Sequence, residues 1–246
     1  MNKLENKVVL VTGSGRGLGR AIALELCKAG AVVYVTDIKI VDAEESVAII
    51  KKDLPAEQQR NVFSVALDVR EEKMAEEVIK SIVEIQGKID ILINNAGVNV
   101  TATVEDLSVA EWDRTVSTIL RGAYVMSHTV FPVMKKQGGG NIINIVSSLA
   151  KRVKENSPAY VASKWGLQGL SQLLYMQGRK YGIKVTALSP AGMRTSLLLD
   201  RFPNLDQSKI MDPAEVAKVV RFVLELPEEI AIPDLFMMST KEETWP

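Results

Sequence analysis

Short runs of β-branched and aliphatic residues alternate with longer stretches of helical periodicity along the chain, and this alternation limits the fold more than any other feature. The strand-like runs cover 7–12, 32–37, 62–67, 89–93, 141–146, 183–188 and, less clearly, 230–238. The helical stretches cover 17–29, 42–53, 71–86, 108–136, 158–181 and 213–225. Runs such as "KVVLVT" and "IDILI" are apolar on both faces, as a parallel sheet covered by helices on each side requires. The predicted class is therefore α/β, a doubly wound parallel sheet of about seven strands with helices on both faces. No Pro/Gly/Ser-rich linker and no repeat of about 20–50 residues interrupts the pattern, so residues 1–246 read as a single domain.

Composition removes several classes of function. Thirty basic and thirty acidic residues cancel, and no long Lys/Arg cluster offers a footprint for nucleic acid or anionic lipid. The start "MNKLENKVVLVTG" has too short an apolar run, and no small-residue cleavage site, for a signal peptide; no apolar stretch reaches membrane-spanning length. A soluble, cytoplasmic protein is expected. The single cysteine, Cys27, sits in the apolar phase of "AIALELCKAG" and reads as core. "REEKMAEEVIKSIVE" reads as a solvated amphipathic helix. The lone His128 has no cluster of metal ligands around it, and no metal is expected.

Directly after the first strand, "VTGSGRGLGRAIA" sets Gly13, Gly15, Gly17 and Gly19, with Arg16 and Leu18 between them, at the opening of the first helix. Glycine there permits a left-handed turn and lets backbone N–H groups and the positive end of the helix approach a phosphate. Asp37 ends the second strand about twenty residues on, where a carboxylate can accept hydrogen bonds from an adenosine ribose. Together these features predict dinucleotide binding. The same carboxylate would repel a ribose 2'-phosphate, so NAD(H) is preferred; Arg16 and Lys39, able to hold such a phosphate, keep NADP(H) possible.

The spacing Thr12-Gly13-x-x-x-Gly17-x-Gly19 and five further motifs in order resemble the short-chain dehydrogenase/reductase family, in its single-domain branch of about 250 residues with a Rossmann-like sheet. "LDV" (67–69) is similar to the segment that contacts adenine through Asp68 and Val69. "NNAG" (94–97), with Asn95, Ala96 and Gly97, resembles the turn after the fourth strand. "NIINIVSS" carries the family's serine, "YVASKWGLQGL" its tyrosine and lysine, and "SPAGMRT" (189–195) resembles the loop over the nicotinamide, with Pro190 and Thr195. The resemblance covers residues 4 to about 225. It implies an NAD(H)-dependent oxidoreductase that interconverts a secondary alcohol and a ketone by hydride transfer.

The implied catalytic residues are Ser147, Tyr160 and Lys164. Tyr160 and Lys164 lie four apart on one helical face. A lysine ammonium about 4 Å from the phenol, at an effective dielectric of ~20, would contribute roughly 4 kcal/mol and lower its pKa toward working pH. The family's lysine also bonds the nicotinamide ribose, and Thr195 would bond the carboxamide. Ser147 lies thirteen residues before Tyr160, the family's usual spacing, and is chosen over Ser148 as the carbonyl-orienting hydroxyl. One departure stands out: "WDRTVSTILRG" supplies Trp112, Asp113, Arg114 and Gly122, but Ile119 occupies the position of the family's asparagine and has no side chain to hold a relay water. Ser117 and Thr118 are polar, but a helical register places them off that face.

Residues 192–211 are expected to cover the substrate. Met193, Leu197, Leu198, Leu199, Phe202 and Met211 read either as the apolar face of such a lid, over a partly apolar small molecule, or as a plain amphipathic helix packed on the core. Lys151, Arg152 and Lys154 follow closely after Ser148, as a solvated loop or as an attraction for an acidic substrate. The C-terminal stretch "AIPDLFMMSTKEETWP" lacks the glycine-rich turn of many relatives. The resemblance implies a homo-oligomer, tetramer or dimer. Two rivals stand beside the leading reading: a 3-oxoacyl-thioester (acyl-carrier-protein) reductase using NADPH, and a dinucleotide-binding protein with weak or no catalysis because of Ile119.

Overall fold

The computed structural model describes residues 3–242. Residues 243–246 of the C-terminal stretch lie outside them. Strands β1 (Val8–Val11), β2 (Val32–Asp37), β3 (Val62–Ala66), β4 (Ile91–Asn94), β5 (Gly140–Ile145), β6 (Ile183–Pro190) and β7 (Asp234–Met237) alternate with helices. These are α1 (Gly17–Lys28), α2 (Ile40–Lys52), α3 (Glu72–Gln86), α4 (Val109–Val116), α5 (Gly122–Gln137), α6 (Pro158–Gly178), the single turn α7 (Ser196–Leu199) and α8 (Pro213–Leu224). The strands form one parallel sheet in the order β3-β2-β1-β4-β5-β6-β7. The order in which strands are added reverses between β1 and β4, and the crevice beyond the strands' carboxyl ends at such a switch point is where ligands bind in this architecture.

Residue-by-residue alternation along the central strands builds a core on each face. Val9 and Val11 of β1, Ile91 and Ile93 of β4, and Ile143 and Ile145 of β5 join the core that α1 and α8 cover. Val8 and Leu10, Leu92, and Ile142 join the opposite core under α3, α5 and α6. The two-residue side-chain period of a strand makes both assignments at once. Cys27 lies in the first core, where burial pushes its thiol up to about 12. Helix α3 buries Ala75, Ile79 and Ile82 and exposes its charges, and no helix among the described residues is long and apolar enough to cross a membrane.

One expected element is broken. The stretch read as a single helix over 108–136 is α4, a π-helical turn over Ser117–Arg121, and α5. The hydroxyls of Ser117 and Thr118 donate back to the Arg114 carbonyl at 3.1 and 2.7 Å, a local competitor for the helical ladder, and a π-turn re-aims the residues around it. At its end Gly122 lies so close to the β3–α3 connection that a Cβ there would sit 2.6 Å from Val69 Cγ2. The last predicted strand is also shorter, Asp234–Met237 rather than 230–238.

Candidate active site

The glycine loop is wired to its neighbours by short side chains. Ser14 donates to the Val11 carbonyl at 2.8 Å and accepts from Thr36 N–H at 2.9 Å. Thr12 Oγ1 accepts from the N–H groups of Asn95 and Ala96, both at 3.0 Å. The Asn95 amide donates to the carbonyls of Thr12 and Gly13 at 2.9 and 2.8 Å. Gly13 adopts φ +59°, and a Cβ there would lie 2.7 Å from Ala96 Cα, so both conformation and space call for glycine. Arg16 precedes α1 with no side-chain cap, which leaves the helix's first N–H groups open to the cleft.

The cleft has a volume of about 820 Å³ and runs from this loop to Ser147. Its walls include Gly13, Gly15, Arg16, Gly17, Leu18, Asp37, Asp68, Val69, Asn95, Ala96, Gly97, Ser147, Tyr160, Lys164, Pro190 and Thr195. Gly19 alone among the predicted cofactor residues stands behind the wall: a Cβ there would lie 2.6 Å from both Asn95 Nδ2 and the Gly13 carbonyl, so its service is close packing. Asp37, at the carboxyl end of β2, accepts from Gly15 N–H at 3.1 Å and Ile38 N–H at 2.9 Å, with Arg16 and Lys39 in the same wall. Asp68 is gripped by Arg70 at 2.6 to 3.1 Å; that hydrogen-bonded guanidinium holds its carboxyl below the usual range.

At the other end, β5 delivers Ser147 and α6 delivers Tyr160 and Lys164. Pro158 starts α6 at a position where a missing N–H costs nothing. Ser147 Oγ accepts from Leu149 N–H at 3.1 Å, and the Ser147 side chain acts on the Tyr160 phenol to lower its pKa. Ser148 is absent from the cleft wall and lies 3.5 Å from an Arg152 nitrogen, so Ser147 is the serine brought beside the tyrosine. Thr195 lines the cleft immediately before α7, close to Gly17.

The electrostatics correct one expectation. Burial raises the Tyr160 phenol above its ordinary pKa, while the Ser147 side chain and the Arg201 charge pull it down. Lys164 contributes nothing comparable: its Nζ, 4% exposed as a residue, donates to the Ile145 carbonyl at 2.7 Å and lies 5.4 Å from the tyrosine ring centroid. Burial depresses Lys164 itself to about 7. The single-helix register assumed that phenol and ammonium would meet, whereas the lysine stem reaches past the ring to the end of β5.

Beneath this pair lies a small apolar cluster of Ile119, Ala123, Val146, Ala150, Leu167 and Ala187, against which Tyr160 packs. Ile119 is 1% exposed. Thr118, expected off the face, does line the cleft because of the π-turn, although its hydroxyl donates to Arg114. After Ser148, Lys151 pairs with Asp234 and Arg152 with Glu242, so these two cations are committed to the C-terminal segment. Lys154 instead stands 4.8 Å over the Phe202 ring. Met193 and Leu197 line the cleft, whereas Met211 bridges to Met193 and packs on the first core. His128 stacks on Tyr124. Ser14 and Arg201 had drawn no attention in the sequence; Ser14 had a signal, a hydroxyl inside a glycine loop, and Arg201 had none.

Comparison with known proteins agrees with this geometry. The sequence model of the short chain dehydrogenase family matches residues 7–205. A short chain dehydrogenase/reductase of Aspergillus oryzae is 32% identical over 238 residues, 96% of this chain and 89% of that one. The alcohol dehydrogenase of Thermococcus sibiricus, solved with 5-hydroxy-NADP, superposes with a TM-score of 0.88 at 25% identity, covering 98% of this chain and 100% of that one. The 3-ketoacyl-(acyl-carrier-protein) reductase of Brucella melitensis, solved with NADH, gives 0.86 at 27% identity, over 97% and 99%. The chain belongs to the short-chain dehydrogenase/reductase family and is an NAD(P)-dependent oxidoreductase acting on small molecules.

Proposed function

We propose that the chain interconverts a secondary alcohol and a ketone with NAD(H), within one catalytic domain spanning 1–246, and that Tyr160 is its acid/base. The observation that carries this reading is the shared cleft, which Tyr160, Ser147 and Lys164 line together with the glycine loop and the Asp37 carboxylate. The residues fit a dinucleotide, since the glycine loop leaves room for phosphate against the uncapped start of α1 and Asp37 offers a carboxylate to a ribose diol. When bound, the nicotinamide gives or takes a hydride.

The chain's residues do the rest. Tyr160 donates its proton to the carbonyl oxygen, and Ser147 orients that oxygen with a second hydrogen bond. Lys164, anchored on the Ile145 carbonyl, holds a proton donor near neutrality behind the phenol and faces the cofactor's ribose. Ile119 closes the interior side, so protons return along the cleft. Preference for NAD(H) over NADP(H) follows from Asp37. Exposed Tyr124 on α5 and Trp165, Leu173 and Met176 on α6 support a homo-oligomer assembled through these helices. Cytoplasmic residence is part of the same reading.

A second reading, reduction of a 3-oxoacyl thioester, is favoured by the fold's likeness to the Brucella melitensis reductase. A panel of ketones, alcohols and acyl thioesters assayed with both cofactors separates the two. Turnover of free alcohols and ketones with NAD(H) is expected. Dinucleotide binding without turnover of any substrate, unrestored by Ile119→Asn, would leave a binding protein instead.

A further inference from the structure

Five cations stand on the segments that follow Ser147 and flank α7: Lys151, Arg152, Lys154, Arg194 and Arg201. Lys151, Arg152 and Arg194 each hold a carboxylate, of Asp234, Glu242 and Asp212 respectively. Lys154 and Arg201 hold none among the described residues. Both lie against Phe202, with Lys154 Nζ 4.8 Å and the Arg201 guanidinium carbon 5.3 Å from its ring centroid. They come from opposite sides: Lys154 from the segment between β5 and α6, Arg201 from the turn after α7.

Arg201 is half-buried and is held in place by neutral groups. Its Nε donates to the Leu197 carbonyl at 2.7 Å, and one terminal nitrogen donates to Thr101 Oγ1 at 3.3 Å. Thr101 follows the "NNAG" turn, so this contact ties that segment to the turn after α7. Leu197, one turn before Arg201, lines the cleft. Burial lowers the Arg201 pKa, and Tyr160 acts on it in the opposite direction. A partly desolvated guanidinium with no carboxylate, beside the proposed proton donor, has a deficit of negative charge. A planar fork of N–H donors matches a carboxylate better than any neutral group.

We propose that Arg201, assisted by Lys154, binds an anionic substituent of the substrate, so that the physiological substrates are hydroxy acids and the corresponding oxo acids. This rests on the oxidoreductase reading above and narrows its substrate class. The carboxylate is a spectator in the reaction. In reduction the carbonyl carbon takes a hydride from the reduced nicotinamide, the oxygen takes the Tyr160 proton, and C=O becomes CH–OH with the carboxylate unchanged. Phe202 lies between the two cations and limits solvent around the anion, which strengthens the pairing.

The test compares oxo acids of increasing chain length with their methyl esters, alongside neutral ketones, at saturating NADH, in the wild type, Arg201→Gln and Arg201→Lys. The expected result is an acid preferred over its ester by at least ~10-fold in kcat/KM, carried mainly by KM. Arg201→Gln should lower that acid-to-ester ratio by about 10- to 100-fold, and Arg201→Lys by less. NADH affinity, read from nicotinamide fluorescence, and the melting temperature report folding of each variant. Turnover of ketones and esters with no acid preference, or an Arg201→Gln loss equal for acid and ester, would overturn the role of Arg201 and leave the oxidoreductase reading standing. NADH binding with no turnover of any compound would overturn both.

Discussion

The two ends of the cleft are built by different means. The glycine-loop end is held by backbone and by short side chains. Ser14 ties the loop to β1 and β2, Thr12 and Asn95 tie it to β4, and its space is defined by missing Cβ atoms at Gly13 and Gly19. The other end is assembled from side chains on three segments remote in sequence: Arg201 donates to Thr101, and Lys154 and Arg201 both lie against the Phe202 ring. The first end is stiff and tolerates little change. The second depends on side chains that can be exchanged while the backbone stays, which is how one fold serves many substrates.

Substitutions break that contrast in graded ways. At the stiff end Gly13→Val would force a β-branched residue to φ +59° with its Cβ 2.7 Å from Ala96 Cα. Dinucleotide affinity should fall by more than ~100-fold in a fluorescence titration, or soluble protein should be lost. Asp37→Ser keeps the backbone but removes the carboxylate that faces the ribose, and the ratio of NAD to NADP use in kcat/KM should fall about 10- to 100-fold.

Between the two ends lies Lys164, whose burial without a carboxylate is a stability cost. Its folded pKa is depressed to about 7 from 10.5, so the unfolded chain binds the extra proton between those values and wild-type stability rises with pH across that window. Lys164→Met should therefore raise the melting temperature by roughly 5–10 °C at pH 6, with the gain shrinking toward pH 10, even as activity collapses. The smallest effect is expected at Ile119. Ile119→Asn should change kcat less than about threefold, because protons return along the cleft, while placing an amide in the apolar cluster under Tyr160 lowers stability by ~2 kcal/mol.

The same contrast explains what could be read from the chain alone. Strand and helix placement and the glycine loop rest on period and on local residue chemistry, so the seven-strand parallel sheet was legible, and the residues read as cofactor-binding, Gly19 apart, line one cleft. Gly19 matched the motif but serves packing, a distinction visible only once Asn95 lies against it. The break of 108–136 into two helices was hidden because a π-turn follows from back-bonding hydroxyls and the approach of Gly122 to Val69, neither of which alters apolar periodicity. Tyr160 and Lys164 were correctly placed on one face, but i,i+4 spacing fixes Cβ positions, not where a lysine stem ends; here it ends on Ile145. Arg201 carried no motif at all, since the hydroxyl it reaches, Thr101, lies 100 residues away.

The account turns on Tyr160 as the group that moves the proton. The decisive measurement is the single-turnover rate of carbonyl reduction by Tyr160→Phe at saturating NADH, with cofactor affinity measured on the same sample. A fall of about 1,000-fold with NADH affinity held within about twofold is predicted. A variant that keeps its rate within tenfold of wild type would contradict the assignment and move the proton donor elsewhere in the cleft.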